Sequence, residues 1–119
     1  MADSGFSKNL RLLSAAEYEA VFENAQIKAS CHYLLVLAIS NHGPRPRLGM
    51  VIGKKHVSSA VQRNRIKRQI RESFRHIAEK LPGMDLVVLA RKDADKLDNK
   101  ELASKLKLLW KDITNSCWS

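Results

Sequence analysis

The sequence predicts an α/β fold: a two-layer sandwich of one sheet and three helices in the order αβ(β)βαβα. Three observations carry that prediction. Capping boxes mark three helix starts, two apolar runs separated by a Gly/Pro turn lie between the first two helices, and a third apolar run separates the second helix from the last.

Ser14 with Glu17 opens a helix over residues 14–24, with Tyr18 and Phe22 one turn apart. Tyr33–Ile39 reads as a strand, followed by the turn Gly43-Pro44-Arg45-Pro46 and a second strand over Leu48–Gly53. The two together read as a hairpin, and a short extra strand near Ile27–Ala29 fits ahead of them. Ser59 with Gln62 opens a helix over residues 60–80, stopped by Leu81-Pro82-Gly83. Met84–Ala90 is almost continuously apolar, as a strand covered on both faces should be. Asp98 with Glu101 opens the last helix over residues 99–115, where Leu102, Leu106, Leu109, Trp110 and Ile113 recur at helical spacing as a core stripe.

With 119 residues and 45% hydrophobic content, the chain is expected to form one domain over residues 1–119, with 1–7 and 116–119 as loosely held ends. No apolar run reaches the length of a membrane span, and Met1–Lys8 lack the apolar stretch of a signal peptide. Cys31 and Cys117 do not make a disulfide framework, which points to a reducing cytoplasm.

The net charge of +9 is local. Residues 45–75 hold ten Lys and Arg against Glu72 alone, while the remaining 88 residues hold 11 basic and 11 acidic groups. A neutral scaffold with one concentrated cationic segment suggests an anion-binding surface, and nucleic acid is the commonest polyanion.

On a helical wheel, Ile66, Ile70, Phe74, Ile77 and Leu81 share one side of the basic helix. Asn64, Arg68, Arg71 and Arg75 recur on the opposite side, flanked by Lys67 and Arg65. Guanidinium forks bind phosphate oxygens bidentately. Lys54 and Lys55 extend the patch near the helix N-terminus, itself favourable to anions. A membrane role is disfavoured, because the apolar side is needed to cover the sheet. DNA reading by a helix-turn-helix is disfavoured too, because the helix follows a strand. RNA is the more economical partner.

Arg63-Asn64-Arg65-Ile66-Lys67-Arg68, continuing to Arg71-Glu72-Ser73-Phe74-Arg75, resembles the RNR signature of the bacterial ribonuclease P protein family. Further segments resemble that family in the same order: Phe6 with Leu10-Arg11-Leu12-Leu13, Tyr18 with Phe22, Arg47-Leu48-Gly49 with Lys54-Lys55, Asp85–Lys92, and Leu97 through Trp110.

The resemblance implies a fold like domain 2 of ribosomal protein S5, with a left-handed strand–helix–strand crossover against the usual hand. It implies a subunit whose partners are a catalytic RNA and precursor tRNA, one protein per RNA, with Mg²⁺ held mainly by the RNA. Lys54, Lys55, Arg63, Asn64, Arg65, Lys67 and Arg68 would meet the catalytic RNA. A cleft between the first helix and the sheet would take the single-stranded 5′ leader. There Tyr18 and Phe22 would stack on bases, Leu34 and Val36 would form the floor, and Lys67 and Arg71 would meet phosphates. Many family members carry an aromatic where this chain has Val36, which implies weaker stacking at that point.

Two other classes stay open at the level of sequence. One is a ribosomal-type RNA-binding protein with no part in catalysis. The other is a stand-alone His/Lys ribonuclease, although His32, His42, His56 and His76 show no metal-ligand spacing and Asp93 and Asp95 read as turn residues.

Overall fold

The computed structural model describes Arg11, Leu12 and residues 14–118, the last two as backbone only. The loosely held end expected over 1–7 and the family-like Phe6, Leu10 and Leu13 lie outside the described residues. Three helices, α1 (Ala15–Asn24), α2 (Ala60–Ile77) and α3 (Asn99–Trp118), accompany four strands, β1 (Ile27–Ser30), β2 (Leu34–Ser40), β3 (Arg47–Val51) and β4 (Met84–Ala90). The α/β sandwich and its element order are as the sequence predicts, with the short first strand present.

The helix starts have the expected chemistry. Ser14 Oγ accepts the Glu17 N–H while Glu17 Oε1 accepts the Ser14 N–H, a complete box. Asp98 and Glu101 make the same reciprocal pair at α3. At α2 only half of the box forms: Ser59 Oγ accepts from Gln62, but the Gln62 side chain turns to Arg65 Nε at 2.7 Å. A single 3₁₀ turn over Ala78–Lys80 ends α2, and α3 runs past residue 115 to Trp118.

The expected hairpin of the second and third strands does not form. The sheet order is β1-β2-β4-β3, with β2 antiparallel to β4 and β3 parallel to it. Instead, β1 and β2 form the hairpin, paired Ile27 to Ala38 through Ser30 to Leu35. The Gly/Pro segment after β2 crosses the start of β4, where a Cβ on Gly83 would sit 1.7 Å from the Gly43 carbonyl oxygen. Only glycine at that position leaves room for the crossing.

Register divides the side chains between two faces. Leu34, Val36 and Ala38 of β2, with Leu86 and Val88 of β4, join Ile66, Ile70 and Phe74 of α2 and Leu102, Leu106 and Trp110 of α3 in the main core. On the other face α1 covers a smaller cluster of Leu12, Val21 and Val87, with Tyr18, Leu37, Ile39 and Leu89 against it. The helices therefore enclose the sheet from both sides, two on one face and one on the other, so the sandwich has three layers where two were expected.

Candidate nucleic-acid interface

Helix α1 is fastened at one end of its face by charge. Arg47 donates to both oxygens of Asp85, Nε to Oδ1 at 2.9 Å and Nη2 to Oδ2 at 2.8 Å, and its Nη1 reaches Glu17 Oε2 at 2.7 Å. Asp85 is the single buried charged side chain among the described residues, and Asn41 Nδ2 also donates to it. Its bond to Asp85 is the main cause that raises the Arg47 pKa, against the opposing effect of burial. Arg47 counts in the +9 segment, yet its charge is answered inside the protein.

The next residue of α1 after Glu17, Tyr18, lies against Gly49, where an added Cβ would come within 2.7 Å of the ring. Its hydroxyl accepts the Met50 N–H at 3.2 Å, and Leu48 O accepts the Leu12 N–H at 3.0 Å. These contacts cover the outward edge of β3, an otherwise open strand edge. Phe22, the next residue of the i, i+4 pair, is 42% exposed. Phe22 thus offers an aromatic surface to solvent, whereas much of Tyr18 is spent on β3.

Strand pairing aligns Leu35 of β2, Leu89 of β4 and Val51 of β3 in one row across the α1 face. Leu35 and Leu89 are half-buried and Val51 is exposed, so α1 leaves this row partly open. Leu34 and Val36, expected as the floor, are fully buried on the opposite face against α2 and α3. This is a correction of parity: β2 is apolar at six successive positions, Leu34–Ile39, and successive side chains point to opposite faces. The partly open apolar row on the α1 face that sequence reasoning missed is Leu35, Leu89 and Val51. Only the β2–β4 register could have revealed them.

On the other face, α2 divides its cations into two groups. Arg65 is bound inward: Nε to Gln62, Nη1 to Asn99 Oδ1 at 2.9 Å and Nη2 to the Asp95 carbonyl at 3.1 Å. It joins α2 to the start of α3 and does not flank the basic face. Arg63 Nη1 holds the carbonyls of Val57 and Ser58, fixing the turn that enters α2. Among the described residues, Lys54, Lys55, Asn64, Lys67, Arg68 and Arg71 have no side-chain hydrogen bond or ion pair. Exposure puts Lys54, Lys55, Asn64 and Arg68 in solvent and leaves Lys67 and Arg71 half-buried.

The flank of Arg63, Lys67 and Arg71 lies away from α3, at four-residue intervals. Arg63 at one end holds the turn after β3, and Arg75 further on shares a groove with Pro44–Pro46, just before β3. Lys67 and Arg71 therefore run along the β3 edge, whose opposite side carries Tyr18, with Phe22 one turn further along α1. Free cations on α2 and an exposed aromatic on the helix that covers the other face of the sheet are the ingredients of single-stranded nucleic-acid binding.

Three comparisons agree with this geometry. The family model described as Ribonuclease P matches residues 6–114. The chain is similar to the ribonuclease P protein component of Pseudomonas aeruginosa, 50% identical over 113 residues, spanning 95% of this chain and 84% of that protein. It is similar also to that of Pseudoalteromonas atlantica, 45% identical over 117 residues, spanning 98% of this chain and 97% of that one. Among solved structures, the Staphylococcus aureus RNase P protein superposes with a TM-score of 0.79 at 26% identity, covering 86% of this chain and 93% of that one. The Thermotoga maritima protein does so with a TM-score of 0.72 at 31% identity, covering 85% and 96%. With a family match across most of its length and relatives of this identity, the chain belongs to the ribonuclease P protein family.

Proposed function

We propose that the chain is the protein subunit of ribonuclease P. It binds the catalytic RNA through the basic face of α2 and the 5′ leader of precursor tRNA beside α1, assisting removal of the leader to give mature tRNA 5′ ends. The observation that carries this reading is the set of unpaired cations on and before α2, Lys54, Lys55, Lys67, Arg68 and Arg71, in a chain of this family.

Each part has a physical task. Two RNAs brought together repel, and a compact cluster of Lys and Arg lowers that repulsion while releasing condensed counterions. The leader, being single-stranded, lies along Val51, Leu89 and Leu35 with a base against Phe22. Base–aromatic stacking contributes ~1–3 kcal/mol without requiring a sequence. Lys67 and Arg71 take the leader phosphates at the β3 edge. Tyr18 sets the position of α1, and through it the place of Phe22.

The reading assigns bond cleavage to the RNA, with one protein per RNA in the bacterial cytoplasm. Among the described residues no group of three or more His, Cys, Asp or Glu side chains gathers as a metal cage. Asp93 is occupied by Lys96 at 3.2 Å and lies 3.9 Å from His32. Mg²⁺ enters the proposal only as RNA-held.

Reconstitution tests the proposal. The purified chain, a ribonuclease P RNA transcript and precursor tRNA are combined with Mg²⁺ at near-physiological salt. Leader removal that needs the RNA and is stimulated by the chain supports the reading. Cleavage by the chain alone, or no stimulation of the RNA, overturns it.

A further inference from the structure

An open groove of about 460 Å³ runs between the C-terminal half of α2 and α3. It exists because small residues, Ser73 and Ala103, stand where the two helices face each other. Trp110 fills its bottom, only 2% exposed, with Nε1–H donating to Ser73 Oγ at 2.7 Å. His76 and Lys80 line it from α2 and the turn after it, and Lys107 lines it from α3. Its one acidic residue, Glu72, is already held by Arg75 and lies 3.9 Å from His76.

The rim on α3 continues the charge. Lys100, Lys107 and Lys111 fall within an arc of about 40° on the helix, separated by about 10 Å and 6 Å along its axis. Among the described residues, Lys80, Lys100, Lys107 and Lys111 have no ion pair. All four are exposed.

We propose that this groove and lysine line are a second docking surface for RNA backbone, occupied by the same catalytic RNA that covers α2. The inference rests on the reading of the chain as a ribonuclease P subunit. Packed helix axes lie ~8–10 Å apart, less than the width of a nucleic-acid helix, so RNA lying on α2 overhangs onto α3. Around α2 the free cations and the groove are separated only by the Glu72–Arg75 pair, which neutralises itself. The leader is excluded by position, because its cleft lies on the opposite face of the sheet. A protein partner would want a central apolar anchor. Among the described residues, the one large apolar side chain exposed on α3, Leu108, points about 60–100° away from the lysine line.

The test titrates ribonuclease P RNA transcript with the wild-type chain and with a Lys80→Ala, Lys107→Ala, Lys111→Ala triple variant over a series of KCl concentrations. A Lys107→Glu variant is run beside them, and thermal melting checks each fold. The log–log salt slope of the triple variant is expected to be shallower by about two to three, near one per lost lysine contact. Lys107→Glu should weaken RNA binding relative to the wild-type chain with its melting temperature unchanged. A slope equal to wild type overturns the inference, as does a defect confined to binding of precursor tRNA or of a protein by the assembled enzyme. If the wild-type chain itself binds this RNA with a flat salt dependence, the reading of its function fails instead.

Discussion

Arg47 and Asp85 face each other across the parallel pair β3–β4, joined by two hydrogen bonds of 2.9 and 2.8 Å, and the free corner of the same guanidinium holds Glu17 of α1. One arginine from the most basic part of the chain thus secures the helix that carries the exposed aromatic. Asp85→Ala leaves Arg47 and Asn41 without their shared acceptor. It should lower stability by about 2–3 kcal/mol, under the range for a fully buried pair because Arg47 is partly exposed. Urea unfolding of the wild type and the variant measures this.

The same pair makes a prediction about pH. Its partners raise the Arg47 pKa, with the Asp85 hydrogen bond first and burial opposing. A raised folded-state pKa gives stabilisation present below the unfolded value and lost only as pH rises through the folded one. Arginine stays charged throughout the ordinary pH range, so the stability difference between wild type and Arg47→Met should stay constant from about pH 7 to pH 10. Paired unfolding curves across that range check it, and a difference that shrinks steadily would contradict the assignment.

Gly49→Ala places a methyl group within 2.7 Å of the Tyr18 ring. The ring must move, and with it the hydroxyl that accepts the Met50 N–H. Overpacking of this kind costs ~1–3 kcal/mol. Because α1 shifts, affinity for leader-bearing substrate should fall as well. Thermal melting and binding of precursor against mature tRNA separate the two effects.

Arg65 and Arg68 are one turn apart in sequence and unlike in task. Arg68→Ala should leave stability nearly unchanged and make the RNA-binding salt slope shallower by about one. Arg65→Ala removes two hydrogen bonds from α2 to the segment that starts α3, and a third within α2, and should cost ~1–3 kcal/mol of stability. Melting temperature and salt-dependent RNA binding, measured on both variants, should show opposite dominant effects.

Local signals made the helices legible. Ser14–Glu17 and Asp98–Glu101 are self-contained within one turn, and the wheel of α2 separates its core stripe from its free cations without tertiary information. The strand order was not legible. A Gly/Pro turn between two apolar runs looks the same whether the strands pair with each other or β4 later enters between them. Nor was the cleft floor, because β2 is apolar on both faces and only its pairing with β4 tells Leu35 from Leu34. The basic segment showed its sign but not which charges were internally answered. Arg47, Arg63 and Arg65 find acceptors from distant or turn segments, while Lys67, Arg68 and Arg71 do not.

The proposed leader cleft beside α1 is tested most directly by Phe22→Ala, since Phe22 is exposed and its removal spares the core. Holoenzyme reconstituted with this variant is compared with wild type for the Kd of precursor tRNA carrying a 5′ leader and of mature tRNA. The account predicts weaker binding of the precursor by about 5- to 150-fold, the equivalent of ~1–3 kcal/mol of lost stacking, with mature tRNA unchanged. Equal losses for both, or no loss for either, would contradict it.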